Sequence, residues 1–159
     1  MKQKPIKIIF LDFDGVLITL ESIKTNNMET KADPRCIAAL NRITDATKAK
    51  IVVSSTWRLF GISKIREYLT LWGVTGELFG LTPDLSTMYH NGLYAFERLR
   101  EISIWLNLCP EPVASFVVLD DDQVGEAPIL IKTEFERGLT NDHADCAIKL
   151  LKRSRRKSD

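Results

Sequence analysis

The feature that most constrains this chain is a regular alternation between short, continuous apolar runs and stretches with helical spacing. Ile6-Lys7-Ile8-Ile9-Phe10-Leu11 is dense in β-branched and aromatic residues and reads as a buried strand. Lys50-Ile51-Val52-Val53-Ser54, Ser115-Phe116-Val117-Val118-Leu119 and Ile129-Leu130-Ile131 read as further strands, with Glu77-Leu78-Phe79 as a short additional one. Helices fill the intervals. Asp33-Pro34 supplies an N-cap and a first-turn proline, and Ile37, Leu40 and Ile43 then share one face. Ile62, Ile65, Leu69 and Trp72 make a second stripe, stopped by Gly73. Leu93, Phe96, Leu99, Ile102 and Leu106 make a third, and Thr140 caps a last helix carrying Ala144, Ile148 and Leu151. This order predicts an α/β fold of Rossmann-like, three-layer α/β/α type, with a mostly parallel sheet between helices. Strands apolar on both sides of the pleat agree with burial of both faces.

At 159 residues the chain is long enough for one domain with its own core and too short for two. We expect that domain to span residues 1–151 and a basic tail to occupy 152–159. The tail carries Lys152, Arg153, Arg155, Arg156 and Lys157, although the net charge of the whole chain is only +1. Its ordinary reading is a solvated, frayed end; the sharper one is a contact to nucleic acid or a membrane surface. Cys36, Cys109 and Cys146 are odd in number, far apart and without a CxxC, which argues against a disulfide framework or a structural zinc site. The apolar run Ile6 to Leu11 is too short for a signal-peptide core or a membrane span. These features predict a protein of a reducing, cytoplasmic compartment.

In parallel sheets ligands bind beyond the carboxyl ends of the strands. Three strands here end in polar groups: Asp12-Phe13-Asp14-Gly15-Val16, Ser54-Ser55-Thr56-Trp57-Arg58 and Asp120-Asp121-Asp122. An Asp after a strand is often turn chemistry, but three such clusters on one sheet edge are not explained that way. Gathered carboxylates repel unless a cation sits among them, and an all-oxygen set without His or Cys suits Mg²⁺. Gly15 permits a tight turn or a close backbone approach beside the acids. The Ser and Thr hydroxyls suit phosphate oxygens, and Arg98 or Arg58 suits their charge. His90, in the polar stretch Ser86 to Asn91, and His143, in the first turn of the last helix, read as surface or capping residues. Cys109 has no basic neighbour to activate it.

Phe10-Leu11-Asp12-Phe13-Asp14-Gly15-Val16-Leu17 resembles the first motif, DxDG(T/V), of haloacid dehalogenase (HAD) superfamily hydrolases. Ser55, with Ser54 as the alternative, stands where the second-motif Ser/Thr falls, and Leu119-Asp120-Asp121 resembles the acidic fourth motif. Ser-Ser-Thr-Trp-Arg, Leu81-Thr82-Pro83, Arg98 with Glu101-Ile102 and Trp105-Leu106, and Gly138-Leu139-Thr140 resemble a capless subgroup that includes HAD domains of RNA-repair proteins. The resemblance runs from about Ile6 to Leu151. It implies that Asp12 is a nucleophile forming an aspartyl-phosphate and that Asp14 is the general acid and base. It also implies that Asp12, the Asp14 backbone carbonyl and Asp121 hold Mg²⁺ with Asp120 close by, and that Ser55 binds the phosphoryl group. Arg98 takes the place of the third-motif cation, with Arg100 as the alternative. An Asp at position 14 resembles the phosphatases and phosphomutases rather than the dehalogenases.

About forty residues separate Asp14 from Ser55, and a similar number separate Ser55 from Arg98, so no room remains for a large cap. An open site suits bulky substrates such as phosphorylated polynucleotide ends or phosphoproteins. Trp57, Tyr89 and Tyr94 are candidates for base stacking, Trp57 being better read as packing. The competing expectations are a HAD-fold binding module of weak activity and a phosphotyrosine-type phosphatase acting as a bacterial effector.

Overall fold

The computed structural model describes residues 3–25, 32–85, 94–125 and 128–153. Tyr89, His90, Leu93 and the tail from Ser154 onward lie outside these residues, as do the side chains of Tyr94 and Phe96. In chain order the elements are β1 (Ile6–Leu11), α1 (Leu20–Thr25), α2 (Pro34–Thr47), β2 (Lys50–Val53) and a 3₁₀ turn (Thr56–Phe60). There follow α3 (Ile62–Leu71), β3 (Leu78–Leu81), α4 (Tyr94–Leu108), β4 (Val113–Asp120), β5 (Leu130–Lys132) and α5 (Asn141–Lys152).

The strands form one all-parallel sheet of order β3-β2-β1-β4-β5. Alternation along β1 divides the core. Ile9 and Leu11 face a layer with Ile37, Leu40 and Ile43 of α2, Ile65 and Leu69 of α3, and Ala144, Ala147 and Leu151 of α5. Ile8 and Phe10 face the other way, onto Leu99, Ile102 and Trp105 of α4. The result is the expected Rossmann-like α/β/α arrangement. Between β1 and β2 the described residues form only α1 and α2, which fits a domain without a large cap.

The helix ends follow their sequence signals. Asp33 accepts the Arg35 amide with Pro34 at the first position of α2. Thr140 and His143 form a reciprocal cap on α5, so His143 is a capping residue. The second stripe is narrower than its spacing implies. Ile62 is the first residue of α3 and is 40% exposed, so Ile65 and Leu69 do the burying while Trp72 packs half-buried beyond the helix end. Cys36, Cys109 and Cys146 are all free thiols.

Strand order settles where a site can form. From β1 the chain moves outward through β2 to β3, then returns across the sheet to β4 on the other flank of β1. Crevices in doubly wound sheets open where the direction reverses, here at the carboxyl ends of β1 and β4. Those ends carry Asp12 and Asp120.

Candidate active site

Backbone pairing sets the frame. The Asp12 amide donates to Leu119 O at 3.0 Å and the Ser54 amide to Leu11 O at 3.0 Å, so the ends of β4, β1 and β2 lie level. After Asp12 the chain curls tightly: the amides of Val16, Leu17 and Ile18 all donate to Phe13 O, and the Gly15 amide donates to Ile18 O at 2.8 Å. Gly15 has φ +77°, a conformation that favours glycine. Thr133, the residue after β5, pins this curl from outside by donating its hydroxyl to Gly15 O at 2.6 Å.

The curl and the β4 end bring three acids together. One carboxylate oxygen each from Asp12, Asp120 and Asp121 lie within 4.8 Å of one another. Asp120 is fully buried and Asp12 nearly so. Arg98, in the second turn of α4, reaches in with Nη1 2.7 Å from Asp120 Oδ2 and 3.3 Å from Asp12 Oδ2. Asp120 Oδ1 accepts the Asp122 amide at 2.9 Å.

Asp12 and Asp120 share the Arg98 guanidinium, and Asp121 adds a third carboxylate beside them. Burial, then the charge of Asp120, pushes Asp12 well above the usual carboxylate range, although Arg98 pulls the other way. Burial is also the main cause of the upward shifts at Asp120 and Asp121. Burial acts to lower Arg98, but the charges of Asp12 and Asp120 overcome it and raise its pKa. A crowded oxygen set that holds protons too tightly is what a hard divalent cation would relieve, and its donors suit Mg²⁺.

Asp14 stands apart from this group. Its carboxylate Oδ2 accepts the indole N–H of Trp57 at 3.0 Å. Trp57 packs edge-on against Phe13, Phe60, Tyr68 and Trp72, in line with a packing role, but its contact with Asp14 escaped the sequence reading. Ser54 and Ser55 are fully buried at the end of β2. Ser55 Oγ accepts the Trp57 amide at 3.2 Å, whereas Ser54 Oγ has no hydrogen-bond partner among the described residues.

Arg58, the other candidate for phosphate charge, has its partners elsewhere. It does not face the acids. The 3₁₀ turn folds it back, so that Nη1 donates to Ser54 O at 3.0 Å and Ser55 O at 2.9 Å, while Nη2 pairs with Glu101 at 2.8 Å and Asp84 at 3.7 Å. A buried guanidinium held in this way braces the loop, with Nε left without a hydrogen-bond partner among the described residues. Glu101 also accepts the Leu85 amide at 2.9 Å. It lies three residues after Arg98 and so on the same side of α4. The Arg58–Glu101 pair therefore ties the β2 end to the helix that delivers Arg98. Arg100 is exposed on α4.

The family model described as the HAD domain in Swiss Army Knife RNA repair proteins matches residues 8–144. The chain belongs to this family. No curated protein and no solved structure matches it. The HAD match begins inside β1 and ends inside α5, so it takes in all three acidic donors, Asp14, the Ser54-Ser55 pair and Arg98. Among the described residues of this HAD domain no helix is long and apolar enough to cross a membrane.

Proposed function

We propose that this HAD domain is a phosphatase that hydrolyses phosphate monoesters through an aspartyl-phosphate on Asp12. The observation that carries the reading is the convergence of Asp12, Asp120 and Asp121 with Arg98 at the point where the sheet reverses direction. A carboxylate oxygen of Asp12 attacks phosphorus while Asp14 gives a proton to the departing oxygen. Asp14 then takes a proton from the water that hydrolyses the acyl phosphate, which restores both carboxyl groups. Arg98 offsets negative charge beside the nucleophile, and the Ser55 or Ser54 hydroxyl donates to the phosphoryl oxygens. Asp12 and Asp121, with the Asp14 carbonyl and Asp120 nearby, are the donors we assign to Mg²⁺. Bound there, the ion would screen the approach of an anionic ester to a carboxylate.

For the substrate we favour phosphorylated polynucleotide ends over phosphoproteins. Support comes from the description of the matching family, which is one of RNA-repair proteins, and from the small domain without a large cap. In this reading residues 1–151 are the catalytic domain, residues 152–159 are a basic tail that holds the polynucleotide, and the protein works in the cytoplasm. The test is phosphate release, with Mg²⁺ and with EDTA, from 3′- and 5′-phosphorylated oligonucleotides, nucleotides, sugar phosphates and phosphopeptides. Preferred release from oligonucleotide ends, abolished by EDTA and by Asp12→Asn, is expected. A chain ending at Leu151 should keep activity on small esters and lose it on oligonucleotides. Unchanged Mg²⁺-dependent turnover in Asp12→Asn would refute the mechanism. Preference for phosphopeptides would refute the substrate class and point to the effector reading.

A further inference from the structure

We infer that Trp57 is a positioning residue for Asp14: its indole N–H fixes which carboxyl oxygen of Asp14 carries the transferable proton. The inference rests on the acid–base role proposed above for Asp14 and adds how that role is set up.

Nε1 of Trp57 lies 3.0 Å from Asp14 Oδ2. An indole N–H donates and never accepts. Oδ2 therefore presents a lone pair to Trp57 in both protonation states, and because a carbonyl oxygen accepts better than a hydroxyl oxygen, the bond favours the acid form that carries its proton on Oδ1. That proton passes from Oδ1 to the leaving-group oxygen as the P–O bond breaks. Oδ1 receives one back when water attacks the acyl phosphate, so the cycle closes with Oδ2 still hydrogen-bonded to Trp57. Without the indole, the two oxygens compete for the proton and the carboxyl group is free to turn.

The donor is itself held. The Trp57 ring meets Phe13 at 5.7 Å, Tyr68 at 5.2 Å, Trp72 at 5.9 Å and Phe60 at 6.0 Å between centroids, all edge-to-face. Its amide is tied to Ser55 Oγ. Phe13 is fully buried and lies between Asp12 and Asp14 in the chain, so the cluster that clamps the indole also anchors the backbone bearing its acceptor. Packing alone does not oblige a tryptophan in this cluster to find a partner. Trp72, in contact with Phe13, Trp57 and Tyr68, leaves its own Nε1 buried without one among the described residues.

The test compares wild type, Trp57→Phe and Asp14→Asn on a series of phosphate esters whose leaving groups worsen from 4-nitrophenyl through phenyl to alkyl. Phenylalanine keeps an aromatic ring in the cluster and removes the N–H. General-acid assistance matters most for poor leaving groups, so Trp57→Phe should lose about 10-fold more kcat on the alkyl ester than on the nitrophenyl ester, with KM little changed. Asp14→Asn should steepen the same trend further. Equal loss across the series in Trp57→Phe would mean a merely structural role and overturn the inference. A flat profile in Asp14→Asn would instead remove the acid–base role from Asp14 and with it the proposed mechanism. A second measurement needs no turnover. The indole ¹H–¹⁵N resonance of Trp57 should move in Asp14→Ala more than those of Trp72 and Trp105, and an unmoved Trp57 resonance would overturn the inference.

Discussion

Replacing Gly15 by alanine tests the acidic site through its backbone, with no charged group altered. A methyl group at Gly15 would lie 2.3 Å from Asp121 Oδ2, 2.5 Å from its Cγ and 2.7 Å from its Cβ. The last distance matters most, because no rotation of the Asp121 side chain moves its Cβ. The backbone of one loop must shift, and the Thr133 hydroxyl on Gly15 O resists movement on the Gly15 side. Holding a residue with a Cβ at φ +77° costs about 1–2 kcal/mol. Forcing a methyl into filled space adds about 1–3 kcal/mol. The combined loss of about 2–5 kcal/mol corresponds to a fall in Tm of roughly 4–20 °C for a chain of this size.

The displacement should also reach the metal. Pushing Asp121 away from Asp12 and Asp120 is expected to weaken Mg²⁺ binding by about 10- to 100-fold, the range seen when groups that orient metal ligands are lost. Gly73→Ala is the control: Gly73 also has positive φ (+82°), but a methyl there meets nothing within 4 Å. It should cost only the backbone term, about 1–2 kcal/mol, and leave Mg²⁺ affinity alone. Thermal melts in EDTA and calorimetric titration with Mg²⁺ read the two effects separately. If Gly15→Ala melts together with Gly73→Ala and binds Mg²⁺ as wild type does, the close approach of the two loops is not what shapes the site.

The charges of the site make further predictions. Asp12, Asp120 and Asp121 are raised by burial first. Their contribution to stability is therefore complete below the unfolded carboxylate value of 3.8 and is lost as pH rises through the folded values. In EDTA the Tm should fall toward neutral pH, less so in Asp12→Asn, and Mg²⁺ should restore it; equal pH slopes in the two proteins would contradict this. Glu101→Ala should cost about 3–5 kcal/mol in urea unfolding by leaving Arg58 buried without its closest carboxylate, and a loss of only about 1 kcal/mol, the size of an exposed pair, would count against the brace. Arg98→Ala should lower kcat by roughly 10²-fold, as loss of a group facing developing charge does, with Arg98→Lys recovering part of it. Arg100→Ala should leave kcat nearly unchanged, and the reverse ranking would move the third-motif role to Arg100.

What the sequence reveals and what it conceals divide along a physical line. β1, β2 and β4 are legible because a strand buried on both faces must be apolar throughout, and few other environments demand that. Parallel strands end on one edge, so reading the strands alone is enough to place Asp12, Asp120 and Asp121 on the same edge of the sheet. The six-residue α1, with only Ser22 buried, has no apolar stripe to read. Nothing in the apolar runs says that β1 is flanked by β2 and β4, because interior strands of one sheet bury alike. Arg58 shows what residue type alone does not reveal. A guanidinium beside the second motif suits a phosphate, yet the short 3₁₀ turn reverses its direction and Glu101, from a helix forty-three positions later, captures it. Trp57 and Thr133 are silent in the sequence for the same reason: each acts through one polar atom whose partner, Asp14 or Gly15, is distant along the chain. Charge is written locally, at the strand ends, and can be read there. Orientation is imposed by partners that the fold brings back, and that is why the acids of this site are legible while the groups that aim them are not.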